Sequence, residues 1–163
     1  MEYSEYGLHG NEPVQSLATS ESPFPAEISE PPRTVLVVDD DPMVRDLETQ
    51  VLRVQGYKVL AAEGAAEALR LARETAAIHL LITDYWMPEV DGLELTRRFR
   101  AVHPETPVLM VSGSLPLIQN KADDLERLEF LAKPFQFKEL VHKVRTLLDA
   151  TAPLPIRKPW FCD

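Results

Sequence analysis

Short apolar runs that stop abruptly at polar residues constrain this chain more than any other feature. Val35-Leu36-Val37-Val38 runs into Asp39-Asp40-Asp41, Leu80-Leu81-Ile82-Thr83 into Asp84, and Val108-Leu109-Met110-Val111 into Ser112-Gly113. Such runs, apolar throughout rather than alternating, suit strands covered on both faces. Tyr57 to Ala62 reads as a weaker second strand, and Phe130-Leu131-Ala132 as a short fifth that stops at Lys133-Pro134. Between strands the apolar residues recur at helical spacing. Val44, Leu47, Val51 and Val54 mark a first helix that ends at Gly56, and Ala65 to Thr75 is rich in helix formers. Leu95, Phe99 and Val102 mark a third helix, closed by Pro104, and Leu117 to Leu128 a fourth whose period is poor. Phe137, Leu140, Val141, Val144, Leu147 and Leu148 give the last helix the clearest apolar face. Strands interleaved with helices through short connections predict an α/β fold, a parallel sheet with helices on both sides.

Composition divides the chain into three parts. Residues 1–33 hold five of the fourteen prolines, six Glu and one Arg, with isolated hydrophobics of no period. Such a segment buries too little apolar surface to offset chain entropy, so a disordered, acidic, proline-rich leader is expected there. Residues 34–149 carry the regular pattern, and 150–163 form a tail in which Pro153, Pro155 and Pro159 forbid a continuous helix. The full chain has 26 acids against 17 Lys+Arg, a net charge of −9. That field repels phosphate backbones, so direct nucleic-acid binding is not expected. The single cysteine, Cys162, can form neither an internal disulfide nor a cysteine zinc site. No apolar run approaches the ~20 residues that span a bilayer, and the N-terminus lacks a signal-peptide pattern. A soluble, cytoplasmic protein is the expectation.

Open parallel sheets build their sites at the carboxyl ends of the strands. Asp39, Asp40 and Asp41, Asp84, Ser112 and Lys133 all fall at such ends and should converge on one rim. Singly, each has an ordinary structural role. Asp41 before Pro42 reads as a helix N-cap with proline at the first helical position. Asp39 and Asp40 read as solvated loop acids, Asp84 and Ser112 as turn residues, and Lys133 as a surface lysine beside a rigid proline. Their joint placement is what points to chemistry.

The segments Val37-Val38-Asp39-Asp40-Asp41, Asp84-Tyr85-Trp86-Met87-Pro88-Glu89-Val90-Asp91-Gly92, Val111-Ser112-Gly113 and Lys133-Pro134-Phe135 resemble the receiver domain of two-component response regulators. The resemblance spans 34–149 and implies a doubly wound, flavodoxin-like sheet of strand order 2-1-3-4-5 with five helices. It implies that Asp84 accepts a phosphoryl group from a phosphohistidine on a sensor histidine kinase or histidine phosphotransfer protein. Mg2+ would be held by Asp40, Asp84 and the main-chain oxygen of Trp86, with Asp39 acting through water or orienting the ligands. Lys133 would balance the phosphoryl charge, and Ser112 would move in to donate a hydrogen bond once Asp84 is modified. Phe130 matches the family's switching aromatic. The readout would be the fourth helix, fifth strand and last helix, meeting a downstream protein target or a second, phosphorylated copy.

Some positions depart from the family's commonest pattern. Phe130 has no hydroxyl, so packing must drive any rotation. Arg127-Leu128-Glu129 stands where a small pair often precedes the aromatic, which leaves the shape of the fourth helix open. Trp86 has the bulk to shield an acyl phosphate from water, which predicts slow self-dephosphorylation; it would equally serve to cover apolar surface. Ile156 to Phe161 could dock on the acidic domain or simply fray. The chain has no room for an output domain, which predicts a stand-alone switch rather than an enzyme. Two other readings compete. One is a receiver-like scaffold that never takes phosphate. The other is a haloacid-dehalogenase-type phosphatase that uses Asp39 as its nucleophile, although Met43 stands where such enzymes usually place Thr or Val.

Overall fold

The computed structural model describes residues 31–122 and 125–151. Five strands form one parallel sheet: β1 (Thr34–Val38), β2 (Lys58–Ala62), β3 (Leu80–Asp84), β4 (Val108–Ser112) and β5 (Leu128–Ala132). Their order is β2-β1-β3-β4-β5, as the resemblance implies. Four helices have nine or more residues: α1 (Pro42–Val54), α2 (Ala65–Glu74), α3 (Gly92–Arg100) and α5 (Phe137–Thr151). α4 (Leu115–Gln119) has only five. The expected leader, apart from 31–33, and the tail beyond Thr151 lie outside the described residues, and with them any docking by Ile156 to Phe161. Among the described residues no helix is long and apolar enough to cross a membrane.

The three central strands are apolar along most of their length because both faces are covered. One face holds Leu36, Val38, Leu81 and Val108 against Ala65, Ala68, Leu69, Leu95 and Phe99 of α2 and α3. The other holds Val35, Val37, Leu80, Ile82, Leu109 and Val111 against Leu52 of α1 and Leu140, Val144 and Leu148 of α5. Alternate residues of each strand serve opposite layers, as the pleat requires.

Two sequence expectations are corrected. The fourth helix spans Leu115–Gln119 rather than 117–128: it begins after Ser114 with Pro116 in its first turn, and Asn120 caps its end. The chain then turns and enters β5 at Leu128, two residues before the expected strand start. β5 lies at the sheet edge and is only partly covered, so it lacks the unbroken apolar run that marks the other strands. α1 covers the helix expected from Val44, Leu47, Val51 and Val54, but of these Val44 and Val51 are only half-buried and Leu47 and Val54 are exposed. Glu48, Thr49 and Leu52 are buried, whereas Val54 is 83% and Met43 74% exposed.

Candidate functional site

The parallel register brings the strand ends level. Val38 pairs with Thr83, and Asp84 with Val111, so the residues just past β1, β3 and β4 meet on one rim. Asp39 follows β1 directly and is 1% exposed. Its Oδ1 accepts from the Asp41 N–H at 2.8 Å, which folds the chain sharply after the strand. Asp41 turns outward and caps α1, with Oδ1 accepting from the N–H of Met43 at 2.8 Å and of Val44 at 3.3 Å. Adjacent carboxylates therefore have separate tasks: Asp41 starts the helix, while Asp39 and Asp40 are left to the rim.

Asp84 ends β3, and its following N–H groups are held on both sides. Tyr85 N–H donates to the Val111 carbonyl at 3.0 Å, and Gly92 N–H to the Tyr85 carbonyl at 2.9 Å. The loop between closes through Glu89 in the left-handed region (φ 67°), with Val90 N–H bonded to the Pro88 carbonyl at 2.7 Å. Asp91 then caps α3 by accepting from Glu94 N–H at 2.9 Å. Only glycine fits at 92, because a Cβ there would lie 2.4 Å from the Asp84 carbonyl oxygen. α3 is thus seated directly on the backbone of Asp84.

Lys133 enters from the opposite side. Its N–H bonds to the Ser112 carbonyl at 2.9 Å, which levels the ends of β4 and β5. Its Nζ lies 3.2 Å from Asp39 Oδ2 and 3.2 Å from Asp84 Oδ2. One ammonium therefore bridges two carboxylates, and Asp40 completes a triad in which one oxygen from each carboxylate lies within 4.8 Å of the others. A cluster of hard, anionic oxygens on the open side of a lysine suits a small divalent cation rather than a soft one. The residues present fit Mg2+.

Electrostatics follow from burial and neighbours. Desolvation raises the Asp84 carboxyl above the ordinary range; Lys133 opposes that shift and Asp39 adds to it. Burial alone would lower the Lys133 ammonium, but Asp39 and Asp84 outweigh it, and the group is held firmly protonated. Ser112 is fully buried at the end of β4, its Oγ accepting from Ser114 N–H at 3.1 Å. Trp86 is 62% exposed, its ring edge-on to the buried Tyr85 at 4.9 Å. Phe130 is half-buried, two strand positions before Ala132, and packs beside Tyr85, Met110 and Ile118. The rim thus unites Asp39, Asp40, Asp84 and Lys133; Ser112 is buried at the end of β4 beside the start of Lys133's segment, and Phe130 lies further back along β5.

Three contributors were not foreseen from the sequence. Arg45 Nη1 donates to the Asp39 carbonyl at 2.7 Å and steadies the strand end. Gly92 permits the close approach just described. Glu48 is 2% exposed, and burial first, then Asp39 and Asp84, push its carboxyl up to about 7 against the opposing pull of Lys133. The signal for Arg45 and Glu48 was present: counting back from Leu52, positions 45, 48 and 49 share one helical face. A glutamate inside a helix reads as solvent-facing, and that default hid it.

Residues 35–145 match the family model described as the response regulator receiver domain. Among curated proteins, Response regulator MprA of Mycobacterium sp. (strain KMS) is 34% identical over 123 residues, 75% of this chain and 53% of that protein. DNA-binding transcriptional regulator NtrC of Azospirillum brasilense is 35% identical over 121 residues, 74% of this chain and 25% of that one. The chain therefore spans about half the length of the MprA relatives, or less in the case of NtrC. Among solved structures, the receiver domain from hybrid histidine kinase CckA is 34% identical with a TM-score of 0.62, over 71% of this chain and 98% of that one. Chemotaxis response regulator CheY4 of Vibrio cholerae is 28% identical with a TM-score of 0.67, over 72% and 99%.

Proposed function

Because this chain belongs to the response regulator receiver family, we propose that its work is done by Asp84 as the phosphoacceptor of a phosphorelay. The carrying observation is the position of Lys133 Nζ, equidistant at 3.2 Å from Asp39 and Asp84. A carboxylate and an incoming phosphoryl group repel each other, so transfer requires charge balance on the acceptor side. Lys133 supplies one positive charge without needing to travel. Asp40, Asp84 and the Trp86 carbonyl would hold Mg2+, with Asp39 acting through water or orienting the ligands, and the bound ion would neutralise charge on the phosphoryl oxygens. Asp84 attacks phosphorus in line with the departing imidazole nitrogen of a phosphohistidine donor; the new P–O bond replaces the old P–N bond, and the imidazole leaves with a proton from solvent. The donor is a sensor histidine kinase or a histidine phosphotransfer protein.

The modified Asp84 presents new acceptor oxygens to the Ser112 hydroxyl at the end of β4. Drawing Ser112 forward frees space along β4, into which Phe130 turns by packing alone. The surface that changes is then α4, β5 and α5, and a downstream protein or a second phosphorylated copy reads it.

The test is intact mass after incubation with Mg2+ and a small acyl or amido phosphodonor. One phosphoryl adduct on the wild type, absent from Asp84→Asn, is the expected result. An adduct kept by Asp84→Asn and lost in Asp39→Asn would transfer the chemistry to Asp39 and overturn the assignment. No adduct on the wild type would leave a receiver-like scaffold.

A further inference from the structure

Glu48 stands on the inner side of α1, 2% exposed, with Oε1 sealed from solvent and lacking a hydrogen-bond partner among the described residues. An unpartnered buried carboxyl is costly, and native folds rarely keep one without a use. Its surroundings indicate that use. The charged groups that bear on it are Asp39 past β1, Lys133 past β5 and Asp84 on β3. One turn earlier on the same face, Arg45 reaches the Asp39 carbonyl at 2.7 Å. This side of α1 is therefore turned to the rear of the acidic pocket. The carboxylates that each bring one oxygen within 4.8 Å of the others are Asp39, Asp40 and Asp84, without Glu48. Glu48 thus stands outside the inner ligand set, where a group acts through a coordinated water.

We propose that Glu48 is a positioning residue for the divalent cation, accepting a hydrogen bond from a metal-bound water on the Asp39 side of the pocket. Mg2+ dehydrates reluctantly and keeps several waters, each of which needs an acceptor for its protons. Asp39 already accepts from the Asp41 N–H on one oxygen and from Lys133 on the other, so a second acceptor nearby eases the orientation of such a water. Glu48 has an acceptor in reserve. Partners of this kind typically change metal affinity by roughly 10–100-fold.

The inference rests on the metal site assigned under the proposed function, and the experiment separates the two. The full chain is titrated with Mn2+ at fixed pH and ionic strength, free ion being read by electron paramagnetic resonance, and Mg2+ is then used as competitor. Thermal midpoints without metal are recorded in parallel. Glu48→Leu is expected to weaken binding about tenfold. Glu48→Gln, which keeps an acceptor oxygen but not the charge and preserves shape should the leucine variant misfold, should fall between. Both should be at least as stable as wild type without metal. Wild-type affinity in both variants overturns the proposal and leaves Glu48 a buried neutral acid. If Asp40→Asn abolishes binding while the Glu48 variants do not weaken it, only this inference fails. If the wild type binds no metal, the metal site itself fails.

Discussion

Helices α1 and α2 flank the same strand, β1, and are held in place by different means. α2 buries Ala65, Ala68, Leu69 and Ala72, one face of a 3.6-residue repeat, and its exposed side pairs Arg70 with Glu67 and Glu74. Its N-terminal cap is Gly64, with no side-chain hydrogen bond. α1 instead buries Glu48 and Thr49 beside Leu52, exposes Met43 and Val54, and starts from the carboxylate cap of Asp41. Arg45 ties it further to the Asp39 main chain. Apolar burial does most to position α2, helped by the His103 ring hydrogen-bonded to the Ala72 carbonyl at 2.8 Å, while directional hydrogen bonds from Asp41 and Arg45 do more to position α1. Hydrophobic contact is forgiving of small displacements; hydrogen bonds are not.

Unfolding measurements can break or sharpen this contrast. The largest effect belongs to the one residue where α1 behaves like α2: Leu52→Ala should cost about 2–5 kcal/mol in a urea titration, through lost transfer energy and a cavity. Next comes pH. Glu48 has a folded pKa of about 7 against an ordinary 4.5. Between those values the folded chain holds a proton that the unfolded chain has released, so stability falls as pH rises through that window. The full penalty, on the order of 3 kcal/mol, is reached above about pH 7. Glu48→Gln should flatten much of that decline, although Asp84, shifted the same way, will leave a residue of it. An unchanged slope would mean Glu48 is already ionised in the fold.

Smaller effects test the caps. Asp41→Ala should lose about 1 kcal/mol of stability, whereas giving α2 a side-chain cap through Gly64→Ser should gain only a few tenths. The smallest is on the outer stripe: Val54→Ser should stay within about 0.5 kcal/mol of wild type, since Val54 touches solvent rather than core. A loss several times larger would mean that this stripe is covered in the folded protein. Away from stability, Trp86→Asn should shorten the lifetime of a phosphorylated Asp84, followed by loss of the intact-mass adduct over time. An unchanged lifetime would reduce Trp86 to a surface cover.

The central strands were legible because each is apolar on both faces and ends at a polar residue. Most of the rim was legible for the same reason, since Asp39, Asp40 and Asp84 sit where those runs stop, while Lys133 was marked by the proline that follows it. The register of α1 was not. Met43, Leu47 and Val54 supply an apolar period that competes with the inner one, and periodicity cannot choose between two stripes. The fourth helix misled in another way: a helix was expected over Leu117 to Leu128 despite a poor period, but it ends at Gln119, and Leu125 packs beside Ile118 and Ala122 from beyond its end. Glu48 was illegible because its burial is set by tertiary position rather than by any local preference.

The position of each strand in the sheet also matters for how the site can move. Asp84 belongs to a strand clasped by β1 on one flank and β4 on the other, with Gly92 pressed against its carbonyl. Lys133 follows an outermost strand, fastened to β4 alone. Asp84 is therefore clamped from both flanks, while the strand that leads to Lys133 keeps one free margin. Any rearrangement of the rim costs least along the β5 margin, where only one ladder of hydrogen bonds has to give and the clamped aspartate can keep its place.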